Sequence, residues 1–240
     1  RHSREKIAVD AMGGDFAPLE IVLGSIQAVR EFKIPVVLVG DKEQILTILK
    51  NNHEENNPLI EIHHASEVIE MGEHPGLAYR KKKDASVSVG ARLVRAKECG
   101  ALVAPGSTGA AVTAGLLGIG RIKGIERPAI LTPIPNEKGR YTYLIDSGAS
   151  AQPKVETYVQ NAILGYIYAS KVAGIKNPRI GLLNIGEEDT KGSPLVTEAN
   201  KVLQNQSIIP FSGNAEGRDI MTGEFDVVVT DGFTGCLLYT

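Results

Sequence analysis

The 240-residue sequence predicts an α/β protein, a three-layer αβα sandwich around a mainly parallel sheet. Three observations carry that expectation. Short runs of Val, Ile and Leu recur along the chain, several of them too continuous for strands with one wet face. Segments with helical spacing and recognisable ends lie between them. Loops of glycine and small polar residues follow the strands directly, where sheets of this kind bind ligands.

The strands are expected at residues 7–10, 35–40, 59–64, 101–104, 129–133, 142–146, 179–185, 208–212 and 226–230. Pro18 suits the first turn of a helix running to about Phe32, with Ile21, Val22, Ile26 and Val29 on one face. Asp41 with Gln44 resembles a capping box ahead of Ile45, Leu46, Ile48 and Leu49. Asp84 is positioned to cap a helix through Lys97, with Gly100 just past its end. Further helices are expected from Thr108 to Gly120, from about Lys154 to Val172 and from about Ser193 to Leu203. Strand–helix alternation makes the pairing parallel and places helices on both faces.

Composition agrees with an ordinary globular chain, 42% hydrophobic and 22% charged, with room for one large domain or two small ones. Residues 1–240 are read as one α/β catalytic unit. The net charge of −2 gives no global electrostatic case for nucleic acid. Cys99 and Cys236 are far apart and have neither metal-ligand nor redox spacing, which fits a reduced, cytoplasmic setting. No apolar run is long enough to span a bilayer, and the polar opening through Lys6 lacks the apolar core of a signal peptide.

Five loops could carry chemistry: 10–15, 105–110, 146–150, 213–219 and 231–235. Each combines glycine with small polar residues and often a carboxylate. One such loop is ordinary turn chemistry. Five at strand ends suggest a site lined with backbone N–H groups, which attract anions. The best phosphate candidate is Gly106, Ser107, Thr108 and Gly109, between an apolar strand and an Ala/Gly-rich helix. The plainer reading of Ser107 is an N-cap.

No Gly-x-Gly-x-x-Gly follows a strand, so a nicotinamide cofactor is not supported. The segment 186–193 looks like a phosphate-binding P-loop but has Lys191 and Gly192 in the wrong order. There is no Gly-x-Ser-x-Gly elbow. All five histidines lie between His2 and His74, and neighbours His63 and His64 point to opposite strand faces. No metal and no cofactor are expected. The run Arg80, Lys81, Lys82, Lys83 and the group Arg121, Lys123, Arg127 are solvated helix faces or landing patches for an acidic partner.

These loops, in this order, resemble the phosphate acyltransferase family known as PlsX. The resemblance rests on Ile7–Asp15 with Ala17-Pro18, Gly120–Pro128, Gly181–Gly186 with Lys191-Gly192, Gly213–Asp219 and Asp226–Gly235. It covers Lys6 to nearly Thr240, and the ordered set is far more specific than any piece. Ser107, Ser150 and Cys236 stand where the family usually has Asn. Members also continue past the last motif, so the chain is expected to lack their C-terminal part.

The resemblance implies transfer of a fatty acyl group from acyl carrier protein to inorganic phosphate. A membrane acyltransferase would then use the acyl phosphate to acylate glycerol 3-phosphate. It also implies a fold like isocitrate and isopropylmalate dehydrogenases, a homodimer, and peripheral contact with the inner face of the membrane. Phosphate is already an anionic nucleophile and a thioester is already activated, so the protein need only align them and stabilise the oxyanion. Lys191 and Arg218 are the candidate phosphate or oxyanion cations, and Asp231 is the third catalytic candidate. Asp10, Gly13, Gly14, Asp146, Asn214 and Glu216 are candidates for positioning ligands. Arg80–Lys83 with Arg121 and Lys123 are candidates for receiving the acidic carrier protein. The rival readings are a phosphotransacetylase-like coenzyme A enzyme, a binding or regulatory relative without turnover, and a dehydrogenase relative of the same fold.

Overall fold

The computed structural model describes residues 6–240, so the polar opening segment lies outside the described residues. The chain divides into two compact units, residues 1–123 and 124–240. Each has its own sheet, so the single sheet expected from the alternation is two.

The first unit runs β1 (Lys6–Asp10), α1 (Leu19–Phe32), β2 (Val36–Gly40), α2 (Lys42–Asn51), β3 (Ile60–His64), α3 (Pro75–Lys81), α4 (Ser86–Arg95), β4 (Cys99–Val103) and α5 (Thr108–Thr113). Helix α5 continues as a π-helical stretch, Ala114–Ile119. The sheet order is β3-β2-β1-β4 and every pairing is parallel. Strand alternation sorts the core into two layers. Val9, Val36 and Leu38 pack with Val22, Ile26 and Val29 of α1 and Ile45 and Leu49 of α2. Ala8, Val37 and Val39 face the other way, onto Val89 and Leu93 of α4. Helices therefore cover both faces, which is why β2 is buried at every position.

The second unit runs β5 (Leu131–Pro135), β6 (Tyr141–Ile145), α6 (Val155–Lys171), β7 (Ile180–Leu183), α7 (Pro194–Asn205), β8 (Phe211–Ala215), α8 (Asp219–Thr222), β9 (Val227–Val229) and α9 (Gly232–Tyr239). Its order is β5-β6-β9-β7-β8, parallel except for the edge strand β5. Tyr143, Ile145, Ile180, Leu182, Val227 and Val229 bury against α6 and α7. Leu144 and Val228 face Ile220 of the short α8.

Most expected elements form within a few residues of their expected ends. Asp41 caps α2, its side chain accepting from the Gln44 amide at 2.9 Å. Ser193 caps α7 in the same way. Four details differ. Asp84 does not cap α4; its carboxylate accepts from the Ser66 amide at 2.8 Å and hydroxyl at 2.6 Å, and Ala85 takes the cap position. Gly100 lies inside β4, because the helix has already ended at Arg95. Residues 213–215 belong to strand β8, leaving only the segment from Glu216 as the turn. The 231–235 loop is the start of helix α9, with Asp231 as its cap.

Candidate functional site

Because β1 and β4 are adjacent and parallel, their following loops leave the same sheet edge. The chain goes from β1 outward to β2 and β3, then returns to place β4 on the other side of β1. That reversal is where open α/β sheets form a ligand crevice. Here two glycine loops separated by about 90 residues of sequence come into backbone contact. A Cβ on Gly106 would lie 2.9 Å from the Gly13 Cα, and one on Gly13 would lie 3.1 Å from the Gly106 Cα. Any side chain at either position would separate the loops. Gly14 has φ +108°, a conformation that L side chains rarely adopt, and sits against the Pro105 carbonyl.

Asp10 anchors this pair of loops. It is 4% exposed, and its Oδ1 accepts from the amides of Gly13 at 3.1 Å and Met12 at 3.2 Å. Burial pushes its carboxyl above the ordinary aspartate value, opposed by hydrogen bonds from Ser86 and those two amides. Ser107 caps α5, its hydroxyl oxygen accepting from the Ala110 amide at 3.3 Å. A hydroxyl that accepts in this way keeps its proton for another partner. Thr108 is exposed, and Gly109 leaves room for Pro75. An apolar groove of about 340 Å³ reaches this place, lined by Val9, Ile21, Phe32, Val36, Val103 and Pro105 among others.

The second unit gathers its loops in two pairs. At the ends of neighbours β6 and β9, Asp146 is 1% exposed and holds three backbone amides. Its Oδ1 accepts from Ile130 and Ala149, each at 3.0 Å, and its Oδ2 from Ser150 at 2.7 Å. The first turn of α9 packs onto this loop, where a Cβ on Gly232 would lie 2.7 Å from the Ser150 nitrogen. Asp231 accepts from the Thr234 amide at 2.8 Å and hydroxyl at 2.7 Å. Its charge adds to burial in pushing the Tyr158 phenol up to about 12.

At the ends of β7 and β8, Asn184 and Asn214 shape the other pair. Asn214 donates to the Glu188 carbonyl at 2.9 Å and accepts from Asn200 at 2.8 Å. Asn184 donates to the Lys191 carbonyl at 2.9 Å. The Lys191 side chain is exposed and has no ion pair among the described residues. Arg218 is exposed too, but pairs with Glu216 and lies 3.5 Å from Glu187 and 3.9 Å from Asp219.

Of the five expected loops, 10–15 pairs with 105–110 in the first unit and 146–150 with 231–235 in the second, while 213–219 pairs with the segment after β7, which was not among the five. Of the expected carrier-protein patch, Lys82 is drawn into the protein by Glu73 at 2.6 Å and the Val68 carbonyl at 2.7 Å. Arg80, Lys81, Lys83, Arg121 and Lys123 stay exposed. Among the described residues no three His, Cys, Asp or Glu side chains could hold a metal ion. The residues missed by sequence reasoning are Ser86, which touches Asp10, and Asn184, which holds the Lys191 loop. An Asn directly after an apolar strand was the available signal for the second.

Comparison with known proteins shows the family and supports the α/β fold. The family model described as fatty acid synthesis protein matches residues 5–240. A phosphate acyltransferase of Pelotomaculum thermopropionicum is 50% identical over 230 residues, covering 96% of this chain and 66% of that protein. One of Picosynechococcus is 47% identical over 237 residues, covering 98% and 65%. The chain thus spans just under two thirds of the length of these relatives. A branched-chain phosphotransacylase from Enterococcus faecalis shares the fold, with a TM-score of 0.62 at 16% identity over 97% of this chain and 82% of that one.

Proposed function

Since the chain belongs to the fatty acid synthesis protein family, we propose that it transfers a fatty acyl group from acyl carrier protein to inorganic phosphate, giving acyl phosphate for phospholipid synthesis. The single observation that carries this reading is the backbone contact of the Gly13 and Gly106 loops beside the Ser107 cap. It brings main-chain groups and one free hydroxyl proton to the edge of the sheet, the chemistry that a phosphate needs. The names of the two bacterial relatives point to the same activity.

In this mechanism a phosphate oxygen attacks the thioester carbonyl carbon, forming the acyl–oxygen bond and a tetrahedral oxyanion; the carbonyl then re-forms as the carbon–sulfur bond breaks and the thiolate leaves. Gly106, Ser107, Thr108 and Gly109 hold phosphate. The apolar groove lined by Pro105 takes the acyl chain. Lys191 is the first candidate for the oxyanion cation, since no carboxylate holds it. Arg218 is the second, and must exchange Glu216 for the ligand. Asp10, Gly13, Gly14, Asp146 and Asp231 set the glycine loops; Asn214 and Glu216 set those around the cations. Residues 1–240 serve one reaction in this reading. The carrier protein lands on Arg80, Lys81 and Lys83 or on Arg121 and Lys123. A second copy of the chain, a cytoplasmic location with peripheral membrane contact, and a downstream glycerol 3-phosphate acyltransferase belong to the same proposal. Among the described residues no helix is long and apolar enough to cross a membrane.

The test is to supply palmitoyl carrier protein and phosphate, trap product with hydroxylamine, and repeat with palmitoyl coenzyme A. Phosphate-dependent hydroxamate from the carrier protein is expected, with Lys191→Gln about 10²-fold slower. Product from coenzyme A alone would replace the carrier protein as donor. Absence of product from folded chain that binds phosphate would leave a binding protein.

A further inference from the structure

The first unit holds a second cavity away from the glycine loops. It has a volume of about 330 Å³ and is lined by Tyr79, Arg80, Lys83, Ser88, Arg92, Arg95, Leu117 and Gly118. The glycine loop precedes α5, whereas Leu117 and Gly118 belong to the π-helical stretch at its far end. Four lining residues are cations and none is a carboxylate. No ion pair joins any of the four to a carboxylate among the described residues. Asp84 senses Arg92, but its oxygen accepts from the Ser66 amide and hydroxyl.

Helical geometry explains the concentration of charge. Ser88, Arg92 and Arg95 stand at i, i+4 and i+7 of α4, on one face. Like charges on such a face repel, so without an anion the arrangement destabilises the helix slightly. Arg92 is fixed by donating to the Lys83 carbonyl at 2.6 Å, which brings Lys83 to the same rim. Ser88 supplies the independent observation. It is 1% exposed, it lines the cavity, and its hydroxyl has no hydrogen-bond partner. A buried hydroxyl left unpaired is destabilising, and an acceptor in the cavity would remove that cost. The wall opposite is formed by a π-helical stretch, a form often found at functional sites. It can approach because Gly118 has no Cβ; one would lie 2.6 Å from that of Ala91 and overlap Tyr79.

We propose that this cavity is a second anion site that takes the phosphate monoester of an organic molecule, held by Arg80, Lys83, Arg92, Arg95 and the Ser88 hydroxyl. Guanidinium groups match phosphate oxygens in pairs, and three of them converge here. The volume lies at the lower end of the range for small-molecule pockets. The Tyr79 ring and Leu117 give the organic body an apolar wall. The same chemistry is offered by a soluble phosphate monoester and by the headgroup of phosphatidic acid.

Titration of the 240-residue chain with phenyl phosphate, followed by calorimetry at low salt, tests the site. Saturable binding is expected, weakened at least about tenfold in the double variant Arg80→Gln/Arg95→Gln. Both side chains are exposed, so the variant is expected to fold, which circular dichroism checks. Ser107→Ala serves as the control for the glycine loop and should retain this binding. Unchanged phenyl phosphate affinity in the double variant overturns the proposal, as does binding that disappears only in Ser107→Ala. Flotation with phosphatidic acid vesicles against phosphatidylcholine vesicles distinguishes the sources. Flotation that depends on Arg80 and Arg95 assigns the site to a lipid headgroup, and phenyl phosphate binding without it assigns a soluble ligand. Absence of binding to either probe overturns it. None of these outcomes depends on acyl transfer, so failure here and failure of the acyltransferase reading are separable.

Discussion

The two units share an architecture and differ in what their polar residues are doing. In the second, the loop carboxylates are committed to the protein itself. Asp146 serves three amides, Asp231 holds its own helix start, and Glu216 holds Arg218. In the first, Asp10 binds two amides, while Ser107, Ser88 and four cations keep hydrogen-bonding capacity in reserve. Similar motifs in the sequence therefore do different work. Asp10 closes its own loop as Asp146 does, so what sets the first unit apart is the glycine-to-glycine contact beside the Ser107 hydroxyl.

The largest effect that would break this comparison is at Asp146. Alanine there leaves three backbone amides without their acceptor, each unsatisfied donor costing about 1–3 kcal/mol. A loss of about 3–5 kcal/mol is expected, near the upper limit for a single substitution. Hydrogen exchange resolved by peptide should place the lost protection in residues 124–240. Unchanged protection there would mean that the loop is held by other contacts, and Asp146 would then be free for a ligand.

Gly106→Ala gives an intermediate effect and acts in the first unit. Its new methyl group would lie 2.9 Å from the Gly13 Cα, so backbone must move. Overpacking of this kind costs about 1–3 kcal/mol. Phosphate affinity should fall more than stability does, because the displaced atoms are those proposed to bind it. Stability loss with full phosphate affinity would reduce this loop pair to scaffold, like its counterpart.

The sequence revealed the elements more readily than their assembly. Runs such as Val36–Gly40 and Val227–Val229 are strands because nothing in them suits water. Asp41 was readable as a cap, and Ser193 as the start of a helix, from local spacing alone. Asp84 was not, because its partner Ser66 is 18 residues away and competes for the same oxygen. The division into two sheets was hidden for a similar reason: strand order depends on pairing between distant segments, while alternation reports only local period. Among site residues, the glycine loops were legible by type, but the contact of Gly13 with Gly106 was not. Nor was the withdrawal of Lys82 toward Glu73, since a basic run looks alike whether its charges are paired or free.

The smallest effect sharpens the comparison by titration. Asp10 is a buried acceptor of two backbone amides, and burial outweighs those hydrogen bonds enough to raise its carboxyl above 3.8. An acid whose native value is raised binds its proton more tightly when folded. The folded state then carries more protons than the unfolded state between 3.8 and the raised value. Stability from this group is therefore full below that window, falls as pH rises through it, and is level above. Asp10→Asn removes the ionisation and retains an oxygen for the Met12 and Gly13 amides. Its cost at neutral pH should stay within about 1 kcal/mol. Urea denaturation of the first unit, followed from pH 3.5 to 7, should show the falling segment in the parent chain and a flatter profile in the variant. Parallel profiles would show that burial does not raise the Asp10 carboxyl in the folded chain, and the amides of Met12 and Gly13 would then govern its charge as they govern its position.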